Sequence, residues 1–181
     1  MNDSIPTNPP LPTELKLVQK ILQEKMGISF SSVTAENESQ EYKAATCLYK
    51  GSKILFRVAK ITPRKIGQFV TFWERDKSSK IIKPFAYEDN ISAFIIFLSQ
   101  KENKGCFIFN KEVLLRNGIL SKSAQGGKRA FRVYPPWVQP TSKVALKTQQ
   151  WQLLHFINFD SKESVFNEEA YKMLSNEIES T

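Results

Sequence analysis

The sequence predicts an α/β chain of the α+β kind, a single domain in which one mixed, largely antiparallel central sheet is flanked by helices. Three observations predict it. Residues 54–73, ILFRVAKITPRKIGQFVTFW, read as two strands joined by a short basic connection. Residues 93–98 and 105–109 read as a second strand pair around a KENKG turn. Residues 14–26 and 142–157 repeat apolar side chains at helical spacing, as helices lying on a core do. With 181 residues, 41% hydrophobic and 12% aromatic, the chain can build one sizeable core and is too apolar for wholesale disorder.

In chain order, residues 1–12 hold Pro6, Pro9, Pro10 and Pro12 and predict a disordered or extended leader, because proline has no N–H to give a helix. Thr13 stands where an N-cap is expected; Leu15, Val18, Ile21, Leu22 and Met26 make a buried stripe, and Gly27 is the stop. Residues 29–40 are polar, and Glu36, Glu38 and Glu41 make an acidic group before a strand predicted over 42–49. A turn at 50–53 pairs that strand with the one starting at Ile54 as an antiparallel hairpin. From Ile54, one face carries Phe56, Val58 and Lys60, and the other Leu55, Arg57, Ala59 and Ile61. Thr62 and Pro63 stop the strand, Arg64 and Lys65 occupy the turn, and Gly67 lets the chain re-enter. Gln68, Val70, Phe72 and Glu74 then share one face, opposite Phe69, Thr71, Trp73 and Arg75.

A polar turn over 76–80, a short apolar piece at Ile81 and Ile82, and an acidic loop at Glu88 and Asp89 lead to residues 93–98. That run does not alternate, so both faces of its strand should be covered. Residues 111–117 predict a short helix closed by Gly118, and 126–137, GGKRAFRVYPPW, a glycine turn and a brief strand ended by prolines. The helix over 142–157 should bury Val144, Thr148, Trp151, Leu154 and Ile157 and leave Lys143 and Lys147 on its polar side. The domain so delimited runs from 13 to 160, and an acidic C-terminal helix lies within 161–181.

Charge is clustered. Residues 50–83 hold ten Lys/Arg against two acids, and 128–147 hold five against none, while the rest of the chain is net acidic. Two basic segments on an acidic background predict a nucleic acid as partner, since a clustered field is what attracts phosphates; a merely solvated basic face is the alternative. The longest apolar run, 93–98, falls far below the roughly 20 residues a spanning helix needs, and the N-terminus is not signal-like. A soluble, cytoplasmic protein without membrane insertion is expected. Cys47 and Cys106 lie in apolar strands with one histidine in the chain, His155, which excludes a cysteine/histidine zinc site and predicts buried free thiols. His155 itself reads as a packed residue.

No hydrolase serine motif, Walker loop, dinucleotide fingerprint or HExxH is present. Gly126, Gly127 and Lys128 would equally serve a phosphate-approaching loop or a surface turn. The residues expected to contact nucleic acid are Arg57, Lys60, Arg64, Lys65, Gln68, Lys128, Arg129, Arg132, Lys143 and Lys147, with Tyr134, Trp137 and Trp73 offering stacking; the core is an equal reading for Trp73. A metal-dependent nuclease is the runner-up. Restriction-endonuclease-like nucleases place an acid on one element and an acidic-x-Lys tripeptide on a neighbouring strand, carboxylates holding a divalent ion while the lysine steadies the attacking water. Glu41, Lys60 and Gln68 would be that catalytic set, with Mg as cofactor. Val58 stands where the tripeptide needs its carboxylate, so no cofactor, no metal ligand and no orthodox nuclease activity are expected; Glu74 is a replacement acid only if it converges with Glu41.

The stretches FRVAKITPRKIGQFVTFWER, RAFRVYPPW and KTQQW occur in that order and together resemble the MepB-like proteins over residues 13–158. The resemblance implies a restriction-endonuclease-like core and nucleic-acid binding in a bacterial protein. It also implies a third role, as an accessory of a multidrug-efflux operon, since such proteins accompany an efflux pump and its repressor in some bacteria. It supplies no catalytic set, so the site rests on the residues themselves.

Overall fold

A six-stranded sheet divides the molecule into two apolar halves. The computed structural model describes residues 9–159 and 168–175. Along them run α1 (Thr13–Met26), β1 (Ser31–Ala35), a 3-10 turn (Gln40–Tyr42), β2 (Ala45–Tyr49), β3 (Ser52–Val58), β4 (Lys60–Thr62), β5 (Lys65–Thr71), β6 (Trp73–Arg75) and β7 (Ile82–Pro84). Then come β8 (Ala93–Gln100), β9 (Asn103–Asn110), α2 (Lys111–Arg116), β10 (Ser121–Lys122), β11 (Gln125–Gly126), β12 (Ala130–Val133), α3 (Lys143–Leu153), β13 (Phe156–Asn158) and α4 (Glu168–Ser175). The main sheet has the order β1-β2-β3-β8-β9-β13 and is antiparallel except between β3 and β8. Parallel neighbours need a long crossover. Here residues 59–92 supply it and build β4 to β7 on the way; β4 and β5 then take β12 as third strand of a small sheet, β12-β5-β4.

The absence of alternation in β8 is explained by these two halves. Ala93, Ile95 and Phe97 face α1, whose Leu15, Val18 and Leu22 are fully buried, while Phe94, Ile96 and Leu98 face the small sheet. On the second side Phe72 is a hub, its ring centroid 4.7 Å from Phe94, 5.1 Å from Phe85 and 5.2 Å from Phe131. Each fully buried ring of this kind stabilises the fold by about 1.5–3 kcal/mol. Cys47 and Cys106 are buried and unbridged; burial pushes the Cys47 thiol up to about 12 and raises that of Cys106 as well. No helix of the described residues is long and apolar enough to cross a membrane.

Several boundaries differ from the sequence expectation. The strand from Ile54 does not continue to Ile61: Ala59 donates its N–H to Phe97 O at 2.9 Å, and the chain leaves the main sheet there, so β3 and β4 belong to different sheets. The strand predicted over 42–49 begins at Ala45, because Ser39 (φ 53°) and Lys43 (φ 49°) bracket the 3-10 turn. The polar stretch before it contains β1, an edge strand that needs no apolar alternation on its solvent side. The strand over 68–75 splits at Phe72, whose side chain enters the core while its N–H donates to Arg129 O. Pro12, not Thr13, holds the N-cap position of α1, while Gly27 adopts φ 66° and ends the helix as expected. Of the leader, residues 1–8 lie outside the described residues; of the acidic C-terminal helix, Glu168–Ser175 are described and the rest lies outside them.

The largest correction concerns the helix over 142–157. It stops at Leu153, and Ile157 is buried in β13; Val144 and Leu154 are 77% and 61% exposed, whereas Gln152 is fully buried. The reason is what α3 covers. Gln152 Nε2 donates to Arg132 O and its Oε1 accepts from Tyr134 N at 2.8 Å, so the amide satisfies the free backbone edge of β12. Gln149 Nε2 likewise donates to Pro135 O and Val138 O. A strand edge calls for amides where an apolar core would call for leucine.

His155, just beyond α3, is buried and packs edge-on to Phe109, its Nδ1 without a partner among the described residues. Burial lowers its pKa, with Glu169 pulling weakly the other way. The unfolded chain therefore takes up this proton more readily, so the stability involved is fully present above about 6.5 and is lost as pH falls through the folded value. The urea midpoint should drop between about pH 7 and pH 5, and His155→Phe should flatten that limb; an unchanged acid limb in the variant would refute this assignment.

Candidate functional site

The outer face of the small sheet gathers cations and rings in alternation. β5 turns Lys65, Gly67, Phe69 and Thr71 outward and Gln68 and Val70 inward. Register sets Lys60 of β4 and Arg132 of β12 on either side of Phe69. The Lys60 ammonium lies 4.7 Å from the Tyr42 ring centroid, Tyr42 lies 6.2 Å from Phe69, and the Arg132 guanidinium lies 5.8 Å from Phe69. Arg132 Nη1 donates to Gly67 O at 3.1 Å and Nη2 to Thr62 Oγ1, which holds the guanidinium against the sheet. A Cβ on Gly67 would come within 2.6 Å of the Tyr134 ring, so glycine is what lets Tyr134 lie on β5; its φ of +81° adds a second demand for glycine.

Around this row, Arg64 and Lys65 are exposed at the β4-β5 turn, Lys128 and Arg129 at the entry to β12, and Lys143 and Lys147 on α3. A cleft of about 220 Å³ between β12 and α3 is lined by Lys128, Arg132, Tyr134, Thr148 and Trp151. Among the described residues, the carboxylates that form ion pairs engage other cations and none of these eight. Cations left unpaired and interleaved with rings suit a polyanion with flat faces.

Two predicted contact residues are withdrawn from this face. Arg57 is 3% exposed on β3; Nη1 donates to Phe56 O and Nη2 lies 2.8 Å from Glu36 Oε2. Burial lowers its pKa and Glu36 opposes that. Gln68 is 1% exposed and donates to Ser99 O at 3.2 Å. Trp137 is half-buried and packs edge-on to Phe156 at 5.5 Å, and Trp73 lies half-buried on β6. The glycines of the 126–128 loop serve a turn: a Cβ on Gly127 would meet Ser121 N at 2.7 Å, and Lys128 N donates to Ile119 O.

The set Glu41, Lys60 and Gln68 does not converge. Lys60 shares a face with Phe69, and Gln68, its neighbour in sequence, takes the opposite face. Glu41 is exposed on the 3-10 turn, and Glu74 is engaged by Lys83 at 3.2 Å. Among the described residues no group of three or more His, Cys, Asp or Glu side chains is placed to hold a metal ion. Sequence reasoning left Tyr42, Thr62 and Phe69 out of the site. Alternation already separated Phe69 from Gln68, but only the cross-strand register brings Tyr42, Lys60 and Arg132 to it.

A family model described as MepB-like matches residues 36–158, the stretch that carries the small sheet and all of the main sheet except β1. A crystal structure of MepB is similar at 34% identity with a TM-score of 0.71, over 83% of this chain and 99% of that one. No curated protein matches.

Proposed function

The chain belongs to the MepB-like family, and we propose that it binds nucleic acid by laying the phosphate backbone along the outer face of the small sheet. The observation that carries this reading is the row Tyr42, Lys60, Phe69 and Arg132, flanked by cations that have no carboxylate partner among the described residues. Lys60, Lys65, Arg132, Lys128 and Arg129 supply phosphate contacts, and Tyr42, Phe69 and Tyr134 supply ring faces. The reading includes a restriction-endonuclease-like scaffold acting in the cytoplasm as a binder, the basic face having taken over from nuclease chemistry.

Binding to single- and double-stranded DNA and RNA, titrated over salt by mobility shift, tests it. Affinity should fall steeply with salt, and Lys60→Ala or Lys65→Ala should weaken binding alike for all sequences and flatten the log–log slope by about 1 each. Salt-independent binding, or none to any polynucleotide at micromolar protein, refutes the reading. Magnesium- or manganese-dependent nicking of supercoiled DNA that Glu41→Ala and Lys60→Ala both abolish would replace it with the nuclease.

A further inference from the structure

A second cleft, of about 370 Å³, opens where β5 passes into β6: Trp73, two residues beyond Thr71 in the chain, is one of its lining residues. Its floor is Leu55, Phe85 and Ile91, all buried. Across from these, β1 leads into Glu36, and the carboxylate is fixed by the buried Arg57 guanidinium at 2.8 Å. Arg57 is in turn held by its bond to Phe56 O and lies 5.9 Å from the Phe85 ring. Arg57 takes one oxygen of Glu36; the other has no protein partner among the described residues, and a carboxylate has room for further donors. Lys53, also a lining residue, is exposed and pairs with no carboxylate among the described residues.

The chemistry of this cleft differs from that of the basic face. Its lining holds three cations, Lys53, Arg57 and Arg75, and three carboxylates, Glu36, Glu38 and Glu74, so it carries no net charge and a bare anion gains little inside it. Its volume lies at the small-molecule end of binding pockets, and its make-up is an apolar floor, an aromatic wall and one fixed carboxylate. We propose that it takes a single unpaired nucleobase, turned off the strand that lies on the outer face, and that Glu36 selects guanine. Guanine presents two adjacent donors, the ring N1–H and the 2-amino group; the open Glu36 oxygen accepts one, and the oxygen bound by Arg57 keeps a second lone pair for the other. Thymine and uracil set carbonyl oxygens on both sides of their one N–H, and those oxygens meet the carboxylate unfavourably. Trp73 stacks on the base, and Lys53 at the mouth meets its phosphate. This deepens the proposed function and rests on it for the strand, though the base pocket is testable alone.

The test uses the intact protein with dGMP, dIMP (which lacks the 2-amino group), dTMP and inorganic phosphate, followed by calorimetry and tryptophan fluorescence. dGMP should bind at least about tenfold more tightly than dTMP or dIMP, the discrimination expected of a bidentate base contact, and inorganic phosphate should not compete with it. Equal affinity for the three nucleotides, competition by phosphate, or no binding overturns the pocket. Because Glu36 also holds Arg57, the ligand series needs no altered protein. Trp73→Phe, which keeps a ring, should retain the dGMP preference while losing the fluorescence change; a change that persists overturns the role of Trp73. A short all-thymine strand and the same strand with one central guanine separate the two readings. If both bind equally and dGMP shows no preference, the outer face stands and the pocket falls; if neither strand binds but dGMP is preferred, the pocket stands and the outer face falls. Lys65→Ala should weaken both strands alike and leave dGMP unaffected; a parallel loss of dGMP affinity would overturn the separation of the two sites.

Discussion

Gly105→Ala is expected to destabilise the fold by about 3 kcal/mol, the upper end of what overpacking costs. Gly105 sits on β9, between Leu98 of β8 and Asn158 of β13. A Cβ there would stand 2.3 Å from Phe156 Cζ and 2.5 Å from Ile157 O. Moving the ring opens the apolar cluster that Phe156 shares with Phe107, 5.0 Å away, and moving the carbonyl pulls β13 from its register. Urea unfolding should show the loss, and adding Phe156→Leu should recover only part of it, because the carbonyl contact remains. A loss below about 0.5 kcal/mol, the range of ordinary surface substitutions, would mean that β13 can shift freely.

Glu36→Gln is expected to cost about 3 kcal/mol, because it leaves the Arg57 guanidinium buried without its counter-charge. The lower end of the range for a broken buried pair applies, since Glu36 itself reaches solvent. Arg57→Met should cost less than Glu36→Gln, and the double variant should be more stable than Glu36→Gln alone, because methionine needs no counter-ion. If the double variant is the less stable of the two, Arg57 is held by Phe56 O and its packing on Phe85, and the ion pair is incidental.

These two positions show what can and cannot be read along the chain. Where one side chain decides its own environment, the sequence sufficed: the unbroken run at 93–98 meant two covered faces, Gly27 and Gly118 meant helix stops, and isolated cysteines in apolar strands meant inert thiols. Where the environment comes from elsewhere, it misled. Arg57 looks like a surface cation because nothing nearby in sequence announces Glu36 as its partner, and Val144 looks buried because nothing announces that α3 caps a strand edge. Of the site, the basic residues of β4, β5 and β12 were legible as charge, while the rings between them depended on a cross-strand register that alternation within one strand does not specify.

The small sheet is assembled from pieces far apart in the chain: β4 and β5 lie within 60–71, and β12 arrives at 130–133. During synthesis, therefore, Lys60 and Lys65 emerge from the ribosome long before Arg132 can lie down beside Phe69 and before Gln152 can cover the β12 edge. A nascent chain halted before residue 130 carries part of the basic charge of this face but not its shape, so a polyribosome, itself rich in RNA, meets the proposed binding surface only once β12 and α3 have been made.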